Sequence, residues 1–592
     1  MNQEALEALI LMTTIIARTT TDWRRRVGAL VIGAGGAGLR AAIELDAHGS
    51  DVLVVGKRAR ADAHTVLAAG GINAALGTMD SADTWQIHAA DTLREGRFLG
   101  DAHAVEILCR EAPAAIDDLL SYGTQFARGA DGRLLQRYFG AHRYRRTLFA
   151  GDYTGRAMIA GLMAEVDRRG IPILEQFYVS DLLQQGDGRV SGVLGFALED
   201  GATGVIDAGV VVLATGGHIG VYGRSSSRPA ENTGDGMALA YRAGAELADM
   251  ELVQFHPTGM VWPDEAVGTL VTEAVRGEGG RLYNSAGERF MARYDRERLE
   301  LSTRDRIALA NYTEIVEGRG TPRHGVWLDI SHVPAATIHE RLPRMVAQYQ
   351  DAGIDITRAP MEVAPTAHYA MGGIRVAVDT HWTGVPGLYA AGEAASGVHG
   401  ANRLGGNSLA EIIVFGRRAG LAAANDVAET RSDDTVIAER LTALTAAAHG
   451  ALAPVAGIDR LRETMWRQAA LVRDAAGLHG ALDTIEELGA RRDDLRIPDG
   501  VGRPAALAAA YDLTAMLVTA EATVRGALLR EESRGAHVRR EFPTTARHWQ
   551  RTIVMRARNG RMHADTRPLP EPSADVTAAL RDKAPVLGGL LE

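Results

Sequence analysis

Residues 28–57 read GALVIGAGGAGLRAAIELDAHGSDVLVVGK. GALVI (28–32) is a short apolar run that reads as a buried strand, and DVLVV (51–55) reads as a second one. Between them, Gly33-Ala34-Gly35-Gly36-Ala37-Gly38 leads into the helical pattern LRAAIELDAHG. A glycine-rich turn inside a βαβ unit marks a dinucleotide site. The first glycines let the backbone turn tightly and approach a pyrophosphate, and the last packs helix on strand. The helix N-terminus then offers free N–H groups to phosphate. The second strand ends in Gly56-Lys57, with no acid for a ribose hydroxyl. That departure argues against a plain nicotinamide-binding fold.

The same style returns twice. VVVLATGG (210–217) reads as a buried strand running into a turn at Ala214-Thr215-Gly216, and NTGDG (232–236) then opens a helix at Asp235. GLYAAGEAAS (387–396) is again strand, glycine and an acid, Glu393. One domain built from separated segments fits this, with the stretch from about 251 to 365 inserted. Beyond residue 430 the composition turns Ala-, Leu-, Arg- and Glu-rich, and RLRETMWRQAALVRDAAGLHGALDTIEELGARR reads as long amphipathic helices. From Thr544 the chain is more polar, with Pro568, Pro570 and Pro572, and reads as a small appended unit or tail.

The totals bound the function. At 592 residues the chain is too long for a single core. Its 46% apolar and 23% charged residues are ordinary for a soluble globular protein. A net charge of −10 gives no support to nucleic-acid binding. The short clusters Arg24-Arg25-Arg26 and Arg143 to Arg146 read as solvated faces. Cys109 is the single cysteine, so neither an internal disulfide nor an iron–sulfur cluster on the chain's own thiolates is possible. It reads as a small buried residue of an amphipathic helix, and no metal site is expected. The apolar run Ala8 to Met12 is interrupted by Thr13 and Thr14 and reads as an extra helix or a lead-in. No other run reads as long enough to cross a membrane.

RADAHTVLAAGG (60–71) places His64 and Thr65 just ahead of Gly70 and Gly71. Together with GAGGAG, QRYFG, LATGG, NTGDG, QFHPTG, VTEAVRGEGG, TRD, HYAMGG, AAGEAASGVHGANRLGGNSL and EESRGAH, it makes a set that resembles one family. The chain resembles the flavoprotein subunits of succinate dehydrogenase and fumarate reductase over about residues 27–545, with L-aspartate oxidase a close cousin. The resemblance implies an α/β fold. A Rossmann-like FAD-binding domain (27–250 and 366–428) carries an inserted α+β capping domain (251–365). An N-terminal extension (1–26) precedes it; a helical domain (429–543) and a small C-terminal unit (544–592) follow.

It also implies roles. His64 would carry FAD through a covalent bond, which makes the flavin a better electron acceptor. Gly33, Gly35, Gly36, Gly38, Lys57, Thr65, Gly70, Gly71, Ala214, Thr215, Gly216, Asp235, Glu393, Arg403, Asn407, Ser408 and Leu409 would contact the cofactor. The reaction removes a hydride and a proton from adjacent carbons of a dicarboxylate, so it needs cations for two carboxylates and a proton acceptor. Arg403 and His368 would grip one carboxylate, and His256 with Thr272 the other. Phe126 matches an apolar wall. Arg304 matches a proton shuttle, with Glu273 and Arg276 as its relay.

Three readings follow: a succinate dehydrogenase or fumarate reductase flavoprotein subunit, an L-aspartate oxidase, or a flavin-bearing scaffold subunit without turnover. His64 and Phe139 favour the first, because aspartate oxidases hold FAD non-covalently and carry a glutamate where Phe139 stands. LDISH (328–332) and GIDIT (353–357) look more like aspartate oxidases. Two departures stand out: Ala69 where the family has Gln or Glu beside the flavin, and Ala367 in place of a frequent cysteine. On the first reading an iron–sulfur subunit takes the electrons and membrane anchor subunits hold the assembly at the cytoplasmic face. The chain itself, without a span, would be peripheral.

Overall fold

The computed structural model describes residues 20–446 and 448–582. The apolar run Ala8 to Met12 lies outside the described residues.

β1 (Trp23–Ile32), α1 (Gly36–Ala47) and β2 (Val52–Val55) form the opening unit. β1 starts well before the apolar run, because Trp23 to Val27 pair in register with Gly204 to Ala208. Arg24 Nε lies 2.7 Å from Asp207 Oδ2, so the extension rests on backbone pairing and an ion pair rather than on hydrophobicity. α2 (Trp85–Glu95), α3 (Ala102–Ser121) and α4 (Thr154–Arg169) come next. β3 (Ile173–Leu174), β4 (Phe177–Gln184), β5 (Val190–Ala197) and β6 (Thr203–Leu213) complete most of the main sheet. Its order is β3-β2-β1-β6-β5-β4, parallel through β3, β2, β1 and β6 and antiparallel beyond. Leu30, Val31, Val211 and Val212 are fully buried in it. Each such side chain contributes roughly 1.5–3 kcal/mol relative to exposure.

α5 (Asp235–Arg242) opens at the NTGDG turn. β7 (Leu247–Ala248) then leads into the inserted segment, where β8 (Val253–Met260), β9 (Arg281–Tyr283), α6 (Arg304–Glu314), β10 (Val326–Asp329) and β11 (Met361–Ala370) follow in order. Its antiparallel sheet runs β8-β11-β10-β9 over a separate apolar cluster that includes Met260, Leu282, Val326 and Tyr349. β12 (Gly373–Ile374) and β13 (Leu388–Ala390) return the chain to the first domain, β13 lying parallel to β6. α7 (Asn407–Ala424) packs along α1.

α8 (Asp434–Thr445), α9 (Pro454–Gln468), α10 (Ala475–Ala490) and α11 (Arg503–Leu529) build the helical unit around Leu461, Met465, Leu478 and Met516. α11 corrects the expectation that no further run is long enough to cross a membrane: by length and hydropathy Gly500–Leu529 qualifies. It is 61% buried over its most apolar window and packs on α9 and α10, which marks a core helix. β14 (Arg551–Arg558) and β15 (Arg561–Pro568) form a hairpin that pairs with β7, and α12 (Ala574–Arg581) docks on α2.

Arg143 and Arg146 do not lie on the solvated face expected from sequence. Their side chains are 3% and 0% exposed; Arg143 reaches Asp91 at 2.7 Å and Arg146 reaches Asp83 at 2.8 Å. Acids on and just before α2 supply the partners that let these guanidinium groups leave water. Cys109 is buried in α3, where its thiol faces Thr92.

Candidate active site

One long cavity runs from the Gly33–Gly36 turn to Arg403. Its floor is backbone. Gly33 has φ +114°, and a Cβ there would stand 2.1 Å from the Ala214 carbonyl oxygen. A Cβ on Gly38 would stand 1.8 Å from the Gly33 carbonyl oxygen, so Gly38 serves helix–strand packing and does not line the cavity. Gly35, Gly36, Lys57, Thr65, Gly70, Gly71, Ala214, Thr215, Gly216, Asp235, Glu393, Ser408 and Leu409 all line it. Thr215 Oγ1 is buried there without a hydrogen-bond partner. Lys57 Nζ reaches Asp512 of α11 at 2.6 Å and Asp235 at 3.5 Å. Lys57 thus stands between acids from two distant segments, of which Asp235 also lines the cavity. Glu393 accepts from the Ala370 backbone N–H at 2.9 Å, and burial pushes its carboxyl up to about 7. A glycine floor at the start of α1, an unpaired hydroxyl and a mixed Lys–Asp end fit an FAD dinucleotide.

The far end of the cavity is cationic. His256 on β8 and His368 on β11 become neighbours through the pairing of His256 with Thr366, and their rings stand 5.3 Å apart. Burial, reinforced by Arg304 and Arg276 for His256 and by His256 and Arg403 for His368, pushes both well below the usual histidine value. Both rings are therefore neutral near pH 7. Arg304 begins α6; its Nε donates to Glu273 at 2.8 Å and its Nη1 to Gln254 at 3.3 Å. Glu273 is half-buried, and its loss of water alone would raise its pKa, but Arg304 and Arg276 bring it down to about 2. Arg276 stands behind it, 3.8 Å away and outside the cavity lining. Arg403 precedes α7, donates to Ser408 at 3.2 Å and lies over the Tyr369 ring. Its Nε is buried with no partner, and burial with the charge of Arg304 lowers its pKa to about 10. A buried, under-satisfied guanidinium facing a cavity is a site for an anion. Thr272 and Phe139 complete this end.

The matched families agree with the geometry. Residues 28–409 match the model described as "FAD binding domain", and residues 458–578 match "Fumarate reductase flavoprotein C-term". The chain belongs to the succinate dehydrogenase and fumarate reductase flavoprotein family. Among its relatives, a fumarate reductase (CoM/CoB) subunit from Methanothermobacter marburgensis is 46% identical over 532 residues, 89% of this chain and 96% of that one. The mitochondrial succinate dehydrogenase [ubiquinone] flavoprotein subunit of Oryza sativa is 38% identical over 555 residues, covering 87% and 85%. Among solved structures, Mycobacterium smegmatis Sdh1 in complex with UQ1 superposes with a TM-score of 0.85 at 39% identity, over 93% of this chain and 96% of that one. An E. coli quinol fumarate reductase superposes at 0.87 and 31%, over 94% and 99%. The chain is thus an FAD-binding oxidoreductase subunit of this family.

Within this flavoprotein the structure moves two further expected contacts besides Gly38. Phe126 is not in the cavity wall; it is buried in the apolar cluster beneath, and Phe139 presents the aromatic surface, packed against Gly70 and Gly405. Asn407 is also off the cavity, because its amide is consumed by Asn73, His88 and Thr92. Other residues escaped the reading from sequence. Glu231 lies 3.2 Å from His64 Nδ1. Gln254 donates to Asn402 at 2.8 Å, and Asn402 to Glu95 at 2.6 Å, behind Arg304. Gln254 and Asn402 lie inside the quoted motifs QFHPTG and GANRLGGN. Glu231 and Glu95 carried no signal in sequence, because the partners that bring them to the site, His64 and Asn402, are more than 160 residues away.

Proposed function

We propose that this chain is the flavoprotein subunit of a succinate:quinone oxidoreductase, oxidising succinate to fumarate with FAD held covalently on His64. The observation that supports it most is the pair of guanidinium groups, buried Arg403 and half-buried Arg304, flanking neutral His256 and His368 around Phe139. Arg403 and His368, with His256 and Thr272 opposite, suit two carboxylates, Arg304 stands beside them for the proton, and the apolar ring at position 139 offers nothing to an amino group. Glu273 does not answer that need, since Arg304 and Arg276 engage it.

When bound, FAD supplies the two-electron acceptor. Arg403 and His368 bind one substrate carboxylate, and His256 with Thr272 the other. Holding both carboxylates fixes the two carbons between them, so that their C–H bonds are presented in a set direction to the flavin and to Arg304. Arg304 takes the proton. Its Nε and Nη1 are fixed by Glu273 and Gln254, so Nη2 is the free end of the fork. Glu273 and Arg276 then carry the charge away from the carbon. Electrons leave to an iron–sulfur subunit, and anchor subunits hold the assembly at the cytoplasmic face of the membrane.

Fumarate reduction is the second reading, favoured by the 46% identity to a relative named as a fumarate reductase subunit. The same residues serve it in reverse, with Arg304 delivering the proton. Anaerobic assays of the purified protein decide between them: succinate with an oxidised dye, fumarate with a reduced dye, and L-aspartate as a third substrate. Faster succinate oxidation is expected. Faster fumarate reduction reverses the assigned direction, and turnover of L-aspartate alone removes the succinate–fumarate reading.

A further inference from the structure

His64 sits in a short helical turn (His64–Leu67) whose neighbour Thr65 accepts from the Gly36 backbone N–H at 3.2 Å. That contact ties the segment to the start of α1, so the histidine is carried on a fixed support at the cavity wall. Its Nδ1 faces Glu231 Oε2 at 3.2 Å. Glu231 is itself held: Arg228 donates to it from Nε at 3.1 Å and also from Nη2, and Arg58 Nε stands 3.3 Å away. Asp62 in turn pairs with Arg228 and with Arg58 at 2.8 Å. Both His64 and Glu231 line the cavity, and Glu231 is 7% exposed.

We infer that Glu231 is the positioning residue for covalent attachment of the flavin at His64: it holds Nδ1 and leaves Nε2 as the nucleophile. This inference rests on the proposed His64–FAD bond. Joining Nε2 to the methyl carbon of the flavin ring breaks one C–H bond. That hydrogen leaves as a proton, and its electron pair stays on the ring system. The imidazole, now substituted at Nε2, carries positive charge until it loses the proton on Nδ1, where the Glu231 carboxylate stands. The two electrons left on the flavin pass to fumarate, the oxidised partner of the proposed substrate pair. A carboxylate on the far ring nitrogen fixes the tautomer and stabilises the cation that develops, as in other His–carboxylate pairs. Burial alone would raise the pKa of Glu231; the hydrogen bonds from His64 and Arg228 outweigh it and hold the acid at about 2, so it is ionised throughout.

The test compares wild-type protein, Glu231→Gln, Glu231→Asp and His64→Ala, each expressed with FAD available. After acid denaturation, in-gel fluorescence and intact mass report the retained flavin, and the supernatant reports the released flavin. Total FAD in the native protein reports folding. The wild type is expected to retain its flavin and His64→Ala to release it. Glu231→Gln is expected to hold native FAD but retain about 10- to 100-fold less after denaturation, with Glu231→Asp recovering part of the loss. Wild-type retention in Glu231→Gln overturns the inference and leaves the His64 bond standing. Release of all flavin by the wild type overturns the His64 bond, and the inference with it.

Discussion

Arg304 shows how much work a single side chain is assigned. An arginine is a poor base in water because its pKa lies above about 12. Here it is 11% exposed, fixed on both sides, and backed by a second guanidinium through Glu273. Replacing it by alanine leaves the glycine floor and the His64 segment untouched. Arg304→Ala is therefore expected to bind FAD normally by absorbance while losing turnover by about 100- to 10,000-fold. Near-normal turnover in that variant would remove Arg304 from the proton path.

At the scale of elements, the end of α2 carries an unusual acid. Glu95 is buried at a helix C-terminus, and burial together with the negative charge of Asp305 raises its pKa to about 8. It accepts from Asn402, whose own acceptor is used by Gln254, so this helix end supports the segment that holds Arg304. A carboxyl with a raised native pKa binds more protons folded than unfolded. Its contribution to stability is complete below its ordinary value of 4.5 and is lost as the pH rises to about 8. The slope is about 1.4 kcal/mol per pH unit in that window. Glu95→Gln, measured by denaturant unfolding between pH 5 and pH 8, is expected to flatten the slope by roughly that amount per pH unit. An unchanged slope would mean that Glu95 is ionised in the folded protein.

At the scale of the whole molecule, the cofactor end of the cavity is braced by contact between domains. Asp512 on α11 meets Lys57, Tyr178 and Thr233, so the helical unit holds from behind two residues, Lys57 and Tyr178, that line the cavity. Ligand bound to the folded state alone adds stability by mass action, about 2.7 kcal/mol at a hundredfold excess over Kd. In His64→Ala, calorimetric melting is expected to rise with added FAD, with the sheet domain and helical unit shifting together. A shift confined to one transition would show that Lys57–Asp512 does not couple them.

Much of this was legible in the residues themselves. Gly38 announces the turn because a Cβ there would meet the nearby Gly33 carbonyl, and Gly33 because its backbone lies at positive φ, both constraints written in neighbouring positions. The motifs holding His256, Glu273, Arg304, His368 and Arg403 carry the family resemblance, and all five residues are buried or half-buried at one end of the same cavity or directly lining it. What sequence alone determined was the dinucleotide unit, the family and the motifs whose residues line the cationic end of the cavity. Only the tertiary structure decided that Arg143 and Arg146 are buried, that Phe139 rather than Phe126 faces the cavity, and that Glu231 meets His64. The physical reason is distance along the chain. A turn or a helix start is settled by neighbours, whereas burial of a charge depends on whether a partner from elsewhere arrives, as Asp83, Asp91 and Glu231 do here.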